Sequence, residues 1–146
     1  MQTLAARRGE KGFTLVELAV AVVIIGVLAA FGVPRYLASV ERARAAEAFT
    51  YLSTVVSAQE RYAARVGSYA KSVDALDVDL SAPQNFKVGK VSVPKSAKSL
   101  ESGWQLSLAR SGTSSGYGAY TVVFNHEGFD AKTSTIPDEI NPRSTK

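Results

Sequence analysis

A long apolar segment near the N-terminus limits what this chain can fold into. From Phe13 to Val33, only Thr14 and Glu17 interrupt a run of apolar and small residues. About 20 residues that each rise ~1.5 Å along a helix match the ~30 Å hydrocarbon core of a bilayer. The β-branched residues at positions 20–25 would favour a buried strand in a water-soluble protein, but strands of this length are rare. Lipid favours a helix, which satisfies its own backbone, so the segment predicts a membrane-spanning helix.

A secretory signal peptide is the alternative interpretation, because a short basic leader precedes the apolar segment. The segment is longer than the usual signal-peptide core, and its one small-x-small site near the end is at positions 30–32. The helical pattern also continues past Pro34. The leader's bases, Arg7, Arg8 and Lys11, are nearly balanced by three arginines beyond the span, so a cytoplasmic leader is inferred mainly from its shortness.

Glu17 is the one acid inside the apolar segment. An ionised carboxylate at the bilayer centre costs about 2.5–3.5 kcal/mol on insertion scales, although Glu17 lies only ~6 Å along the axis from Phe13, near the interface. One interpretation is an acid that favours the positive end of the helix dipole. The other is an acid that pairs with a charge on a neighbouring copy. Cleavage after the small residue Gly12 would release an amine on Phe13, and an adjacent copy shifted along the helix could present that amine to Glu17.

The remaining composition excludes several function classes. The chain has no cysteine, which rules out disulfides, thiolate metal sites and cysteine nucleophiles. The formal net charge of +4 comes without a basic cluster interleaved with aromatic residues, so a nucleic-acid partner is not expected. The isolated lysines Lys87, Lys90, Lys95 and Lys98 fit a solubilising edge better than a DNA-binding patch. His126 has no second metal ligand nearby in a predicted turn, and we expect it at the surface.

No catalytic, metal or cofactor site is predicted. A calcium loop at Asp74, Asp77 and Asp79 would lack the glycine and the distal glutamate of the known loop type. No serine has an evident base. The charged residues of the second half of the helix are interpreted as solvated faces or contacts between subunits; they are Glu41, Arg42, Arg44, Glu47, Glu60, Arg61 and Arg65. We therefore expect a protein that is not an enzyme.

Beyond the apolar segment, the sequence predicts an α+β fold. Residues 35–66 continue the helix as an amphipathic rod, with apolar residues at helical spacing (Ala45, Ala48, Leu52, Val55, Val56, Tyr62, Ala63 and Val66) and a stop at Gly67. Residues 67–85 connect this helix to a small antiparallel sheet within residues 86–146, where strand patterns follow one another with a bulge at Gly89. Trp104, Leu106 and Leu108 are predicted to share one face, as are Tyr120, Val122 and Phe124. One face of the sheet is expected to cover the helix stripe and the other to meet solvent.

The residues "KGFTLVELAVAVVIIGVLAAFGVPRY" resemble the N-terminal signature of type IV pilins and the related pseudopilins. The resemblance is strong over Lys11–Tyr36, moderate through Leu76 and only architectural beyond. It implies a leader, residues 1–12, that a prepilin peptidase removes after Gly12, with methylation of the new amino terminus at Phe13. It also implies a filament-core helix, residues 13–34, in which Glu17 neutralises the amine of an adjacent subunit.

Gly26 and Pro34 match the family's helix-loosening positions. Pro34 removes a backbone hydrogen-bond donor, and Gly26 and Gly32 each destabilise the helix by about 1 kcal/mol relative to alanine. An ordinary proline kink is the alternative. The family often closes its C-terminal region with a disulfide, which this chain lacks. Hydrogen bonds, or a calcium ion held by Asp130, Asp138 or Glu139, are the expected replacements.

The resemblance implies a subunit of a type IV pilus that forms a helical homopolymer. Its other partners are the prepilin peptidase, an inner-membrane assembly platform and, before assembly, the lipid bilayer. The expected location is the inner membrane, with residues 35–146 as a periplasmic head, and then an extracellular pilus. Two alternatives stay open: a pseudopilin of a type II secretion system, and a membrane-anchored or secreted periplasmic binding module. The N-terminal residue of the mature protein separates the last of these from the pilin interpretation.

Overall fold

The computed structural model describes residues 12–112 and 116–144. One α-helix, α1 (Leu15–Val66), precedes a short 3-10 turn at Val73–Ala75 and four strands. The strands are β1 (Phe86–Val88), β2 (Gln105–Arg110), β3 (Thr121–Asn125) and β4 (Gly128–Phe129). They form one antiparallel sheet in the order β1-β2-β3-β4. The predicted α+β class, with one long helix and a small antiparallel sheet, is confirmed.

The chain divides into two compact units, Met1–Tyr36 and Leu37–Lys146. In the described part of the first unit, the side chains of α1 are exposed to their surroundings, and the helix passes through Gly26 and Pro34 without an interruption in its assignment. Gly67, with φ of 86°, follows the last helical residue. The predicted stop is therefore explained by a left-handed conformation that glycine adopts without a steric penalty.

The core of the second unit lies between the inner face of α1 and one face of the sheet. The predicted positions Ala45, Ala48, Leu52 and Val55 are completely buried. The residues predicted to share the inner face of the sheet are also buried: Trp104, Leu106 and Leu108, and Tyr120, Val122 and Phe124. Burial alternates along β2, whereas in β3 the opposite face is buried as well, at Val123. Phe49 joins helix to sheet through an edge-to-face contact with Phe124, whose ring centroid is 5.4 Å away.

The helix stripe differs from the prediction at both ends. Val66 is exposed, because the sheet does not cover the last turn of α1, and Tyr62 and Ala63 are only partly buried. At the other end, Glu41 is not a solvated charge as expected but is completely buried. Its position four residues before Ala45 places it on the same face of the helix. The stripe therefore begins with a carboxylate.

Glu41 is buried together with a cation from the sheet. Arg110, at the end of β2, donates from Nε to Glu41 Oε1 at 2.5 Å and from Nη2 to Oε2 at 3.3 Å. The Tyr120 hydroxyl donates to Glu41 Oε1 at 2.9 Å, and Arg44 donates to Oε2 at 3.2 Å. Arg110 also donates to the backbone carbonyls of Asn85 and Ser111. A single arginine thus ties the helix to both strands at one end of the β1–β2 pair.

This ion pair sets the protonation state of its members. Burial alone would raise the pKa of Glu41, but the hydrogen bonds from Arg110, Tyr120 and Arg44 and the charge of Arg110 outweigh burial and lower it. Burial and then the hydrogen bond to Glu41 raise the pKa of Tyr120 far above its usual range, so the hydroxyl stays protonated and can donate. Removing one member would leave the other charge buried and unpaired.

Two further contacts hold residues 67–85 to the helix. The side-chain amide of Gln59 accepts from the Ala70 backbone N–H at 2.7 Å and donates to its carbonyl at 3.1 Å, with both residues buried. Arg61 donates to both carboxylate oxygens of Asp77, at 3.1 and 3.3 Å, at the surface. Asp77 therefore serves an ion pair within the fold.

The tail after β4 is held by hydrogen bonds, one of the two replacements expected for the missing disulfide. Thr135 donates its backbone N–H to the Thr121 carbonyl at 3.0 Å, and its hydroxyl accepts from the Thr121 N–H at 2.9 Å. The Ser134 hydroxyl accepts from the Val123 N–H at 2.9 Å. Ile140 is completely buried, so the tail extends the sheet edge and closes the core.

The predicted bulge at Gly89 has a counterpart in the pairing of this segment with β2. Gly89 donates to the Ser107 carbonyl, whereas the next pairing joins Ser92 to Gln105, so one extra residue lies on the first strand's side. A Cβ at Gly89 would lie 2.7 Å from the Ser107 hydroxyl and 2.9 Å from its carbonyl oxygen. His126 differs from the prediction: it follows β3 in a turn, but its Nδ1 is buried against Gly103.

We predict that Glu41→Gln lowers the free energy of unfolding by about 3–5 kcal/mol at pH 7, because it leaves Arg110 buried without its anion. The folded-state pKa of Glu41 is lowered, so its contribution is complete above the unfolded value of about 4.3 and is lost as pH falls through the folded value. The wild-type advantage should therefore shrink below about pH 4. The difference in free energy of unfolding can be measured by urea unfolding of the full chain in detergent. Trp104 fluorescence reports the unfolding at pH 7 and at pH 3.

The exposed residue Glu47 provides the matched control. Glu47→Gln should change stability by no more than about 0.5 kcal/mol at either pH, as surface substitutions usually do. A deficit of Glu41→Gln that stays constant from pH 7 to pH 3 would show that lost packing, rather than the ion pair, causes the destabilisation.

Candidate functional site

The start of α1 brings together three of the residues that the sequence singles out. Gly12, Phe13 and Thr14 precede the helix, and Glu17 lies in its first turn. Residues 1–11 of the predicted leader lie outside the described residues. Phe13 is 90% exposed, so the predicted new amino terminus would begin on an accessible residue.

Glu17 and Thr14 form a reciprocal cap. Glu17 Oε2 accepts from the Thr14 backbone N–H and from the Thr14 hydroxyl, both at 2.9 Å. The same hydroxyl accepts from the Glu17 backbone N–H at 3.1 Å. This is the capping box of a helix N-terminus, in which two backbone donors that lack helical acceptors are satisfied by side chains. Sequence reasoning missed the pair, although its signal, Thr14-x-x-Glu17, is present.

The cap gives Glu17 a role within its own chain and leaves it able to act on another. Both bonds from Thr14 go to Oε2, and no described residue donates to Oε1. An ionised carboxylate accepts at both oxygens, so Oε1 can take a further donor. Glu17 is exposed, so this second oxygen is accessible from outside the chain.

Nothing in the described chain explains sterically why glycine occupies the N-terminal positions 12, 26 and 32. A Cβ at Gly12, Gly26 or Gly32 would meet nothing within 4 Å, and none of the three has a positive φ. A glycine that the fold does not require is compatible with a requirement from outside the chain, such as a protease at Gly12 or close helix packing at Gly26. The helix-loosening role of Gly26 and Pro34 stays a prediction.

The apolar side chains of this region are exposed. They are Phe13, Leu15, Val16, Leu18, Val20, Val22, Val23, Ile24, Ile25, Val27, Leu28, Phe31, Val33, Tyr36 and Leu37. Among the described residues, α1 is the one helix long and apolar enough to cross a membrane, and none of its most apolar stretch is buried. An exposed apolar surface of this size marks a membrane or protein interaction site.

The described residues contain no group of three or more histidine, aspartate or glutamate side chains that could hold a metal ion. The pKa of Asp130 is lowered first by a hydrogen bond with the Thr133 side chain and then by the backbone N–H groups of Lys132 and Thr133, which donate to its carboxylate. Glu139 accepts from the Tyr117 hydroxyl at 3.3 Å. These acids serve local turns and contacts rather than a shared site.

Comparison with known proteins places the N-terminal residues in a recognised pattern. The profile of the prokaryotic N-terminal methylation motif matches residues 7–33. The N-terminal segment carries the type IV prepilin motif. The predicted resemblance to type IV pilins is therefore confirmed, over the part of the chain that includes Gly12, Phe13 and Glu17.

The curated relatives carry the names of pilus and fimbrial components. The type IV wide pilus major component PilA4 of Thermus thermophilus is 41% identical over 69 residues, which cover 47% of this chain and 53% of that protein. The fimbrial protein of Moraxella nonliquefaciens is 51% identical over 41 residues, covering 28% and 27%. The type IV major fimbrial protein FimA of Dichelobacter nodosus is 55% identical over 38 residues, covering 26% and 24%.

These matches span about half the length of the first relative and about a quarter of the other two. No solved structure matches the chain significantly. The relatives are structural pilins, which agrees with the prediction that the chain is not an enzyme.

We predict that Thr14→Val removes the hydroxyl half of the cap and destabilises the first turn by about 1 kcal/mol. Hydrogen–deuterium exchange at Glu17 and Leu18, whose N–H groups donate to Thr14, should then accelerate by about fivefold when measured on the full chain in nanodiscs, the factor that 1 kcal/mol represents. Thr14→Ser retains the hydroxyl and should exchange at the wild-type rate. Equal exchange in the valine and serine variants would mean that the Thr14 hydroxyl does not stabilise the helix start.

Proposed function

We propose that this chain is the structural subunit of a type IV pilus. The observation that carries the proposal is the combination, on one segment, of the prepilin motif and an apolar helix surface that the chain itself leaves uncovered. The names of the relatives favour a pilus over the pseudopilus of a secretion system, because each of the three is a pilus or fimbrial component.

Before assembly, the apolar segment spans the inner membrane, with residues 1–12 in the cytoplasm and residues 35–146 in the periplasm. Burial of a large apolar side chain is worth about 1.5–3 kcal/mol, so lipid must cover the segment until another apolar surface replaces it. A prepilin peptidase cleaves after Gly12, and the new amino group on Phe13 is methylated. The exposure of Phe13, and the open space that a Cβ at Gly12 would meet among the described residues, support access by the peptidase.

Assembly transfers the helix from lipid to other copies of the chain, on an inner-membrane platform. Within lipid there is little hydrophobic drive for helices to associate, so polar pairing and close packing select the neighbours. Glu17 supplies the polar pair: Thr14 holds one carboxylate oxygen, and the other accepts the Phe13 amine of an adjacent copy. Once outside lipid, the apolar segment stays covered by its neighbours, and loss of a subunit becomes costly.

The first test is the N-terminus of the mature protein. Mass spectrometry of the native chain should find Phe13 as the first residue, carrying one methyl group. Gly12→Leu should leave the full-length precursor in the membrane, because the larger side chain blocks the peptidase, whereas Gly26→Leu should be processed normally. A mature protein that begins at Met1 or near Val33 would instead support an anchored or secreted binding module.

The second test is the carboxylate. Glu17→Gln retains an oxygen that accepts the Thr14 donors but removes the charge that attracts an amine, so we expect processing to continue while fibre yield falls at least tenfold. Sheared fibres quantified by immunoblot, with membrane fractions as the processing control, provide the measurement. Glu17→Asp keeps the charge with a shorter reach and should assemble better than the glutamine variant. Fibres of the glutamine variant alone at wild-type yield would exclude the pairing role.

A further inference from the structure

A groove lies on the surface of the second unit, where α1 meets the tail. It has a volume of about 590 Å³ and is lined by Ala46, Phe49, Thr50, Ser53, Thr54 and Ser57 of the helix and by Pro142 and Arg143 of the tail. All of these residues belong to the second compact unit. The helical lining residues recur every three or four positions, so they share one side of α1.

The hydroxyl groups of this groove are already satisfied by their own helix. Thr50 donates to the Ala46 carbonyl at 3.0 Å and Ser53 to the Phe49 carbonyl at 2.8 Å. Thr54 and Ser57 donate in the same way, at 3.1 and 3.3 Å, to the carbonyls four residues earlier. A hydroxyl whose hydrogen is committed in this way can be covered by an apolar partner without leaving a donor unpaired.

Most charged side chains near the groove lie beside it, and its lining contains one. Its helical lining residues carry none, although exposed positions beside them carry Glu47, Glu60 and Arg61. The one charged side chain in the lining is Arg143, whose guanidinium carbon lies 5.7 Å from the centroid of the Phe124 ring. Phe124 contacts Phe49, so Arg143 lies at the level of Phe49 and Thr50 along the helix. Its guanidinium donates to no acceptor in the described part of the chain.

The same chain carries a surface that complements this groove. The apolar segment at positions 15–33 is exposed and has a single charge, the carboxylate of Glu17. The groove lining has one cation, Arg143, and the apolar segment has one anion, Glu17, so the two surfaces are complementary in charge. A carboxylate has acceptor sites for more than one donor, so Glu17 can accept from Arg143 as well as from other groups. Small residues on one helix let another helix approach closely.

We infer that this groove receives the apolar segment of a second copy of the chain, with that copy's Glu17 at Arg143. The inference rests on the proposed function and adds to it a defined contact between the head of one copy and the helix of another. Copies inserted in one membrane have the same orientation, so the two helices run parallel. With Glu17 beside Thr50, Ile24 of the second copy lies beside Ser57, seven residues further along both helices.

The natural absence of cysteine makes this contact testable by disulfide formation. Ser57→Cys and Ile24→Cys, co-expressed as two single-cysteine chains with wild-type chain, should form a cross-linked dimer in sheared fibres after mild oxidation. Ile24→Cys with Lys87→Cys, an exposed position on β1, is the matched control and should stay monomeric on non-reducing gels. Each single variant retains a small or apolar side chain and is expected to assemble.

The outcomes separate this inference from the proposed function. Fibres that contain both cysteines but no cross-link would overturn the groove contact and leave the pilus proposal intact. If the wild-type chain forms no fibres, the proposed function itself fails. If the cysteine pair reduces assembly, variants of Arg143 test the contact instead. Fibre yield should fall several-fold with Arg143→Gln and recover with Arg143→Lys. Wild-type yield from the glutamine variant would overturn the role of Arg143.

Discussion

The uncovered apolar surface of α1 is the constraint on which the rest of the structure depends. A helix whose residues 13–37 are exposed cannot exist in water by itself, since each large apolar side chain there forgoes about 1.5–3 kcal/mol of burial. In the proposed function, the chain passes from one apolar environment, the lipid, to another, its own copies. The capping pair of Thr14 and Glu17 places the segment's one charge at its start, where it costs least and can select a partner.

The second half of the same helix has a different structural role. It supports a small domain whose core is limited in size and which has no disulfide. The buried pair of Glu41 and Arg110, the Gln59 amide on the Ala70 backbone, and the tail paired to the edge of β3 fasten the sheet and its connections to the helix at separate places. The helical residues that line the groove beside the tail meanwhile carry no charge. One helix therefore supplies one side of the core and, in the proposed function, an anchor and a surface for a neighbour.

Local patterns explain why so much of this fold could be predicted from sequence. Alternation in β2 and β3 and the spacing of alanines and leucines on α1 depend on neighbours within a few positions. Glu41 was misjudged because its partner Arg110 lies 69 residues away, and only the fold reveals that both charges leave water together. The exposure of Val66 depends on where the sheet ends. The motif predicts Glu17 as a site residue, but its bond to Thr14 required attention to helix capping rather than to apolarity.

The most direct measurement of the central claim is a cryo-EM reconstruction of fibres of this protein, at a resolution that shows side chains. The account predicts that residues 13–33 lie in the fibre interior, covered by other copies, with the Glu17 carboxylate within about 4 Å of the Phe13 nitrogen of an adjacent copy, the distance at which opposite charges interact strongly. A fibre in which Glu17 contacts only its own Thr14, or in which the apolar segment is absent, would contradict it.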